Sequence, residues 1–316
     1  MKLVTKFFIG LLLIGGFYSC NNDNDDVIEP NTIVNVAVNN NLSSLVAAVT
    51  RADLVNTLNS PGPFTVLAPT NRAFTEFLSD NNFASVDDVP KELLTQILLN
   101  HVIDGSLLAS GLSTGYATTK ATSAASNTPL SLHVNTDNGV VFNGISKVIT
   151  ENIIADNGIV HVIDKVIGLP TVVTFATADS NFSSLVAALT RETNYTYVNT
   201  LSTANGTSPA PFTVFAPTNS AFASLLEELS LNNLSDVPTA TLTSTLNTHV
   251  VAGKNVLENE LTNNLQINTL GGNLTVNIAS SGATLTDSKS RVSKIEVTNI
   301  QANNGVIHQI DTVVLE

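Results

Sequence analysis

Several residue types are rare in this 316-residue chain, which has one cysteine, one methionine and no tryptophan. A single cysteine excludes a fold held together by disulfides within the chain. Charged residues make up 12% of the sequence, against ~25% in an average globular protein, so the polar surface must come from the abundant Asn, Thr and Ser. Aromatic residues make up 5% and leave few side chains on which bases or sugars could stack.

Basic residues are also scarce, since 13 Lys and Arg stand against 26 Asp and Glu and give a formal net charge of -13. Nucleic-acid binding requires a basic surface, so nucleic acid is excluded as a partner. Hydrophobic residues make up 43% of the chain, which is enough for packed cores. At roughly 150 residues per domain, the length favours two domains.

The chain begins with the pattern of an export signal. Lys2 and Lys6 precede an apolar run, Phe7 to Tyr18, and Cys20 follows it. At about twelve residues the run is too short to span a bilayer as a helix but suits a secretory signal. The pattern resembles a bacterial lipoprotein signal, although Phe17 stands where Leu is usual. We expect residues 1–19 to be the signal peptide and Cys20 to be the lipidated attachment to the membrane; an ordinary cleaved signal with an incidental cysteine is the alternative.

An acid-rich segment follows the cysteine. Residues 20–30 contain Asp23, Asp25, Asp26 and Glu29 without a basic residue, and they show no apolar periodicity. The segment resembles the stretch that directs Bacteroidota lipoproteins to the outer face of the outer membrane. We therefore expect an outer membrane lipoprotein exposed on the cell surface. A periplasmic location and a plain solvated linker are the alternatives.

The remainder of the chain contains one set of segments twice, in the same order. The matching segments are Ser43–Arg51 with Ser183–Arg191, Pro63–Phe74 with Pro211–Phe222, Asp88–Pro90 with Asp236–Pro238, His101–Val102 with His249–Val250, and Asn157–Asp164 with Asn304–Asp311. Each copy has the length of a domain. We call residues 31–168 the first repeat and residues 171–316 the second repeat, and a joint as short as Gly168-Leu169-Pro170 limits their relative motion.

Each repeat reads as helices followed by strands. In the first repeat, apolar spacing predicts a helix over residues 43–58 capped by Asn41, and Thr70-Asn71 predicts the start of a second helix. A third helix is expected after Pro90, with Leu93, Leu94, Ile97 and Leu98 facing inward. Alternating Val, Ile and Thr with Asn-Gly turns then predict strands. This order favours an α+β fold.

Two segments of each repeat resemble the signatures of fasciclin (FAS1) domains. The first signature corresponds to Thr65–Phe74 and Thr213–Phe222, and the second to Asn157–Asp164 and Asn304–Asp311. The resemblance covers nearly all of residues 31–316. It implies two tandem fasciclin-like domains, each a β-sheet wedge or sandwich with helices packed on one side. The roles that it implies are extracellular adhesion and matrix contact, without an established catalytic activity.

The histidines do not form a metal or catalytic pattern. The five are His101, His133, His161, His249 and His308, and none shows the spacing of a zinc site. Asp164 and Asp311 follow two of them at i+3, on the opposite face of a strand, so a His–Asp pair is not expected. Acidic pairs fit a solvated face better than a calcium site. We expect buried histidines bonded to the backbone, no catalytic or metal site and no cofactor.

One departure from the family concerns partner contact. Animal fasciclin domains implicated in integrin contact carry Asp-Ile shortly before the second signature, whereas this chain has Asn152-Ile153 and Asn299-Ile300. Asn lacks the carboxylate that an integrin-bound metal would coordinate, so integrin-type adhesion is not supported. These four residues remain candidates for partner contact, and the alternative is that Ile153 and Ile300 are ordinary strand residues.

Three functions are compatible with these features. The first is a surface-anchored, non-catalytic adhesion protein that contacts an extracellular protein or glycan. The alternative is a glycan- or small-molecule-binding accessory lipoprotein of an uptake system, for which Tyr195 and Tyr197, in an insertion absent from the first repeat, are candidate contacts. A hydrolase of unrecognised type is the third, although no nucleophile motif supports it.

Overall fold

The computed structural model describes residues 30–280 and 282–316. The predicted signal peptide and Cys20 lie outside the described residues, as does most of the acid-rich segment. Residues 31–316 form one compact unit.

In the first repeat, most of the helices precede most of the strands. Its α-helices are α1 (Ile33–Asn39), α2 (Ser43–Arg51), α3 (Val55–Leu58), α4 (Asn71–Asp80) and α5 (Lys91–Leu99). Its strands are β1 (Phe64–Pro69), β2 (Val102–Asp104), β3 (Gly115–Thr122), β4 (Pro129–Asn135), β5 (Val141–Phe142), β6 (Ser146–Ala155) and β7 (Gly158–Ile163).

The second repeat follows the same order. Its α-helices are α6 (Val172–Ala178), α7 (Ser183–Leu189), α8 (Tyr197–Leu201), α9 (Asn219–Glu228) and α10 (Thr239–Thr248). Its strands are β8 (Phe212–Pro217), β9 (Val250–Ala252), β10 (Gln266–Asn268), β11 (Asn273–Ala279), β12 (Gly282–Thr286), β13 (Val292–Ala302) and β14 (Gly305–Ile310). The expected α+β class is confirmed in both repeats.

The sheets differ in how they close. In each repeat the first strand lies between two others: β1 pairs with β7 in parallel and with β2 in antiparallel, and β8 pairs likewise with β14 and β9. In the first repeat the Ile103–Thr119 pair joins β2 to β3, so that the seven strands close on themselves. The second sheet stays open, with β10 and β9 at its two edges.

Each sheet has a core on both faces. The apolar faces of the helices pack on one side of the first sheet, together with Phe64, Val66 and Ala68 of β1. Leu67 of the same strand points to a second core that also contains Phe142. The second repeat is built in the same way. This arrangement explains why β1 and β8 are buried along their whole length instead of alternating with exposed residues.

Two helix predictions for the first repeat are wrong in detail. The helix expected over residues 43–58 is split into α2 and α3, because Asp53 adopts a left-handed backbone conformation (φ 57°) that a continuing helix cannot contain. Leu93 does not face the core and is 36% exposed, whereas Leu94, Ile97 and Leu98 are buried as expected.

Helix capping is confirmed at one predicted position and not at another. Thr70 Oγ1 accepts a hydrogen bond from Ala73 N at 3.1 Å and caps α4. Asn41 does not cap α2. Its own backbone is left-handed, and the amide of Ser44 donates instead to Asn71 Oδ1 at 2.9 Å. A side chain 27 residues further along the chain therefore supplies the cap.

Candidate functional site

The two repeats are joined by a contact between the β3–β4 turn of the first and the end of β13 in the second. Ser123 Oγ donates to Ala302 O at 2.8 Å, and Ala124 N donates to Asn303 Oδ1 at 3.0 Å. From the adjacent strand β4, Ser131 Oγ accepts from Gln301 N at 2.9 Å. These bonds link residues about half the chain apart, and they hold the repeats together beyond the covalent joint.

Gln301 lies at the centre of this contact and is 3% exposed. Its Nε2 lies within 3.0 Å of Ser123 Oγ and of Asn255 Oδ1, and within 2.9 Å of Gly305 O. Its Oε1 accepts from Thr128 Oγ1 at 3.2 Å. The bonds to Ser123 and Thr128 come from the first repeat, so this buried amide loses two of its partners if the repeats separate.

A second contact between the repeats is aromatic and charged. Tyr116 of β3 donates its hydroxyl proton to Asp179 Oδ2 at 2.9 Å, and its ring meets that of Phe175 edge to face at 5.6 Å. Burial, with the Asp179 carboxylate beside it, raises the pKa of the Tyr116 hydroxyl. Tyr116 therefore stays protonated and continues to donate to Asp179 over the physiological pH range.

His133 adjoins this second contact but titrates differently. Its ring lies edge-on to Tyr116 at 5.1 Å, and burial lowers its pKa even though the Asp179 charge opposes that effect. Its backbone N donates to Asn143 Oδ1 at 2.8 Å. His133 Nδ1 and Asn143 Nδ2 are buried without a hydrogen-bond partner within the described residues.

Surface grooves lie beside the junction. One groove of about 540 Å³ combines acidic, basic and apolar side chains, among them Glu76, Asp80, Lys165 and Leu93, with Asn303 of the second repeat. Another, of about 650 Å³, combines apolar atoms with hydroxyl and amide groups, which include those of Thr118 and Ser131 from the first repeat and Asn259 and Asn299 from the second.

The candidate contact residues Asn152 and Asn299 occupy matching bulges in β6 and β13. Both have left-handed backbones, with φ of 60° and 57°. Asn152 Oδ1 accepts from Ala109 N at 2.8 Å, and Asn299 Oδ1 accepts from Glu258 N at 2.9 Å. Asn tolerates this conformation better than most residues, and in both repeats it fixes the loop that follows the second strand. Whether either side chain contacts a partner stays a prediction.

The neighbouring isoleucines are strand residues, in agreement with the alternative interpretation of them. Ile300 is 1% exposed and lies in the core beneath the second sheet. Ile153 is half-buried against the core of the first repeat and pairs with Val160 across the β6–β7 ladder.

Tyr195 and Tyr197 lie together next to α10. Their rings meet edge to face at 5.2 Å and pack against the helical core of the second repeat. The hydroxyl of Tyr195 lies 2.9 Å from Thr243 Oγ1, and that of Tyr197 donates to Asn247 Oδ1 at 2.9 Å. Both rings are half-buried and both hydroxyls are bonded, so a structural role accounts for the pair. Their role in ligand contact remains untested.

Four of the histidines bond to the backbone, as expected. In the first repeat, His101 Nδ1 lies 2.7 Å from Ile97 O, and His161 Nε2 lies 2.8 Å from Leu107 O. His249 and His308 make the matching contacts, with Thr245 O and Val256 O. Burial lowers the pKa of both His101 and His249 to about 4. His101 and His249 are therefore neutral structural groups at pH 7.

Two residues that hold the repeats together, Gln301 and Asp179, were not identified from the sequence. Neither of them belongs to a motif. One signal existed for Gln301, since the alignment of the repeats places it opposite Ile154, and an amide that replaces an apolar strand residue indicates a different environment.

The part of the chain that the structure describes holds neither a metal-ion cluster nor a single membrane-length helix. Within residues 30–280 and 282–316, no cluster of three His, Cys, Asp or Glu side chains is arranged to hold a metal ion. Over the same residues no single helix is long and apolar enough to cross a membrane, and the segments Val172–Ala178 and Ser180–Leu189 meet the length and hydropathy criteria only as a pair bent by 95°.

Comparison with known proteins relates both repeats to one family. A sequence model of the fasciclin domain matches residues 40–170 and 180–316. Protein sll1483 of Synechocystis sp. is 39% identical over 137 residues, which is 43% of this chain and 72% of that protein. Transforming growth factor-beta-induced protein ig-h3 of Sus scrofa is 31% identical over 260 residues, covering 82% of this chain but 35% of the relative. The chain thus spans about a third of that animal protein.

The fold also matches a solved structure. A FAS1 domain pair from the insect cell adhesion molecule Fasciclin I aligns with a TM-score of 0.56 at 20% identity, over 89% of this chain and 98% of the solved one. The match extends over both repeats. With both repeats matched by the family model, the chain belongs to the fasciclin domain family and contains two tandem FAS1 domains.

Proposed function

We propose that this protein is a surface-anchored, non-catalytic interaction protein that binds an extracellular protein. The observation that carries the proposal is that both repeats belong to the fasciclin family and resemble a domain pair from an insect cell adhesion molecule. The buried histidines support it, because each of the four that bond to the backbone is used in holding a loop or strand. Binding would then occur on the outer surface of the paired domains.

Anchoring is proposed through Cys20, because the lipoprotein-like start of the chain predicts that this residue becomes the mature N-terminus. Two domains on one anchor would offer two contact surfaces, and simultaneous engagement raises the overall affinity without tighter individual sites. We therefore propose that the protein contacts the membrane only through the lipid on Cys20.

Protease treatment of intact cells tests the location. The described domains should be degraded in intact cells that carry the wild-type chain, and a Cys20→Ser variant should lose its attachment to the membrane fraction. A periplasmic protein of known location serves as the control for cell integrity. Protection of the protein in intact cells, combined with unchanged fractionation of Cys20→Ser, would contradict surface anchoring.

A second candidate function, binding of a glycan or another small polar molecule, is favoured by the groove of about 650 Å³ at the junction. Its hydroxyl and amide groups suit the hydroxyl groups of a sugar. A glycan array tests it directly, with Asn259→Ala in the groove compared with Tyr195→Ala and Tyr197→Ala next to α10. Loss of a signal only in Asn259→Ala would place the sugar in the groove, and an array without any binder would remove this candidate.

A further inference from the structure

The contact between the repeats uses one particular face of the second repeat. We call it the covered face and define it by Asn255, Leu257, Gln301, Ala302 and Asn303. The first repeat covers it with its β3–β4 turn, through the bonds of Ser123 and Ala124 to Ala302 and Asn303. The internal repeat therefore shows what such a face binds in this protein, namely the β3–β4 turn of a neighbouring domain.

The first repeat has the matching face, and among the residues that the structure describes no neighbouring domain covers it. Its residues are Ser106, Leu108, Ile154, Ala155 and Asp156, which we call the open face. Ile154 is 61% exposed and Leu108 is 44% exposed, whereas Gln301, the counterpart of Ile154, is 3% exposed. A groove of about 630 Å³ runs along the open face. Two large apolar side chains at one groove form an exposed patch typical of an interaction site.

The backbone beneath the two faces is the same. Asn303 N donates to Pro170 O at 2.8 Å, and Asp156 N donates to Asn31 O at 2.9 Å. Each face thus lies beside the segment that enters its own repeat. The open face has the strand geometry that the covered face uses to bind a turn, but it carries an isoleucine where the covered face carries a glutamine.

The second repeat also has an unused counterpart of the turn that does the covering. This turn, Thr269–Gly272, joins β10 to β11, as residues 123–128 join β3 to β4. It is fixed in place by Leu270 N, which donates to Val250 O at 2.8 Å, and the side chain of Leu270 is 53% exposed. An apolar tip on the second repeat therefore matches an apolar face on the first repeat.

We propose that a second copy of this chain docks its Thr269–Gly272 turn on the open face, with Leu270 against Ile154 and Leu108. This proposal names a partner for the interaction function proposed above and rests on it. The internal contact is polar and the proposed one is apolar, so the two turns are not interchangeable. Because the contact joins two different surfaces, it repeats from copy to copy and builds a linear assembly.

Sedimentation velocity of residues 31–316, the compact unit, tests the proposal over the micromolar to millimolar range. Wild type is expected to self-associate. Ile154→Asp and Leu270→Asp should each weaken the association by at least roughly tenfold, because a charge would be buried without a partner. The matched control is Ile149→Asp, which changes another exposed isoleucine of β6 (53% exposed) and should associate like wild type. Circular dichroism confirms that each variant is folded.

Mixing the two variants distinguishes the proposed geometry from others. Ile154→Asp keeps an intact turn and Leu270→Asp keeps an intact open face, so the mixture should form a heterodimer although neither variant associates alone. A mixture that stays monomeric would overturn the head-to-tail contact. A Leu270→Asp variant that associates alone like wild type would overturn it too, because two open faces would then pair with each other. A wild type that remains monomeric at every concentration would also overturn it, as would an Ile154→Asp variant that associates normally.

Crosslinking supplies a second readout that does not depend on a charged variant. Residues 31–316 contain no cysteine, so a chain with both Ile154→Cys and Leu270→Cys can form disulfides only between the introduced residues. Mild oxidation should give a ladder of covalent oligomers, and the Ile149→Cys, Leu270→Cys control should not. If no ladder forms, the protein is still accessible to protease on intact cells when it is anchored at the surface. Failure of the docking proposal is therefore distinguishable from failure of the proposed surface anchoring.

Discussion

At the residue scale, the glycine of the second signature is required by close backbone approach. A Cβ on Gly158 would lie 2.0 Å from Phe64 O, and one on Gly305 would lie 2.3 Å from Phe212 O. The Asn-Gly pairs of this signature also predict a positive φ at both glycines. Gly158 has one (φ 157°) and Gly305 does not. Glycine is required at both positions because a parallel strand, β1 or β8, lies so close to it. Each of these strands is remote in sequence from the glycine.

Replacement of Gly158 by alanine should therefore destabilise the first repeat by about 2 to 4 kcal/mol, because Phe64 and its strand would have to move. Gly111→Ala is the matched control, since nothing lies within 4 Å of its added Cβ. Denaturant unfolding measures both variants. Equal stability of the two would contradict the close approach of β7 to β1.

The buried histidines predict a loss of stability in acid. His101 and His249 have a folded-state pKa of about 4, below the unfolded value of ~6.5, so the unfolded chain takes up protons first as the pH falls. Their contribution to stability is complete above about pH 6.5 and is lost between about 6.5 and 4, with a limit of roughly 3 kcal/mol per histidine.

Unfolding of wild type and of a His101→Gln, His249→Gln double variant, measured from pH 7 to pH 4, tests this prediction. The double variant is expected to be less stable at pH 7, because it loses the bonds to the backbone, but to depend less on pH. Identical slopes for the two proteins would show that other groups cause the acid sensitivity.

At the scale of elements, helix starts were predictable where the cap is local and not where it is distant. Thr70 and Thr218 cap the helices that begin one residue later, so the signature itself contains both partners. The cap of α2 is Asn71, which approaches only after β1 and α4 have packed. Strand pairing likewise depends on segments that are distant in sequence. The alternating pattern of the second repeat therefore did not show that β10 and β9 form the open edges of its sheet.

Asn71 should therefore stabilise two elements at once. Its side chain accepts from Ser44 N at 2.9 Å and donates to Asn41 O at 2.9 Å. Asn71→Ala is expected to cost about 1 to 2 kcal/mol of unfolding free energy. The adjacent Arg72, whose side chain is 88% exposed, supplies the control, and Arg72→Ala should stay within about 0.5 kcal/mol of wild type. Comparable losses in the two variants would argue against the cap.

At the scale of the whole molecule, the duplication was readable from the sequence but the contact between the copies was not. The matching segments predict two like domains, whereas the contact depends on Gln301, Ser123 and Asp179, which lie outside those segments. The buried Gln301 of the second repeat stands where the first repeat has the exposed Ile154. This difference arises because the first repeat covers that part of the second.

Gln301→Ala should loosen the two repeats from each other. It removes the bonds to Ser123 and Asn255 and leaves buried polar groups unpaired, at about 1 to 3 kcal/mol. Amide hydrogen exchange at Ala124, which donates across the junction, should become faster. Gln309→Ala, whose amide bonds the exposed Glu296, is the matched control. Unchanged exchange at Ala124 would show that Gln301 does not hold the junction.

Adhesion of living cells tests most directly whether this pair of fasciclin domains works by surface contact. A strain that lacks the protein is complemented with wild type, with Ile154→Asp or with Ile149→Asp, and cell–cell aggregation is measured at equal surface amounts of protein. We predict that wild type and Ile149→Asp restore aggregation and that Ile154→Asp does not. Aggregation of the uncomplemented strain at the wild-type level would contradict a function by surface contact.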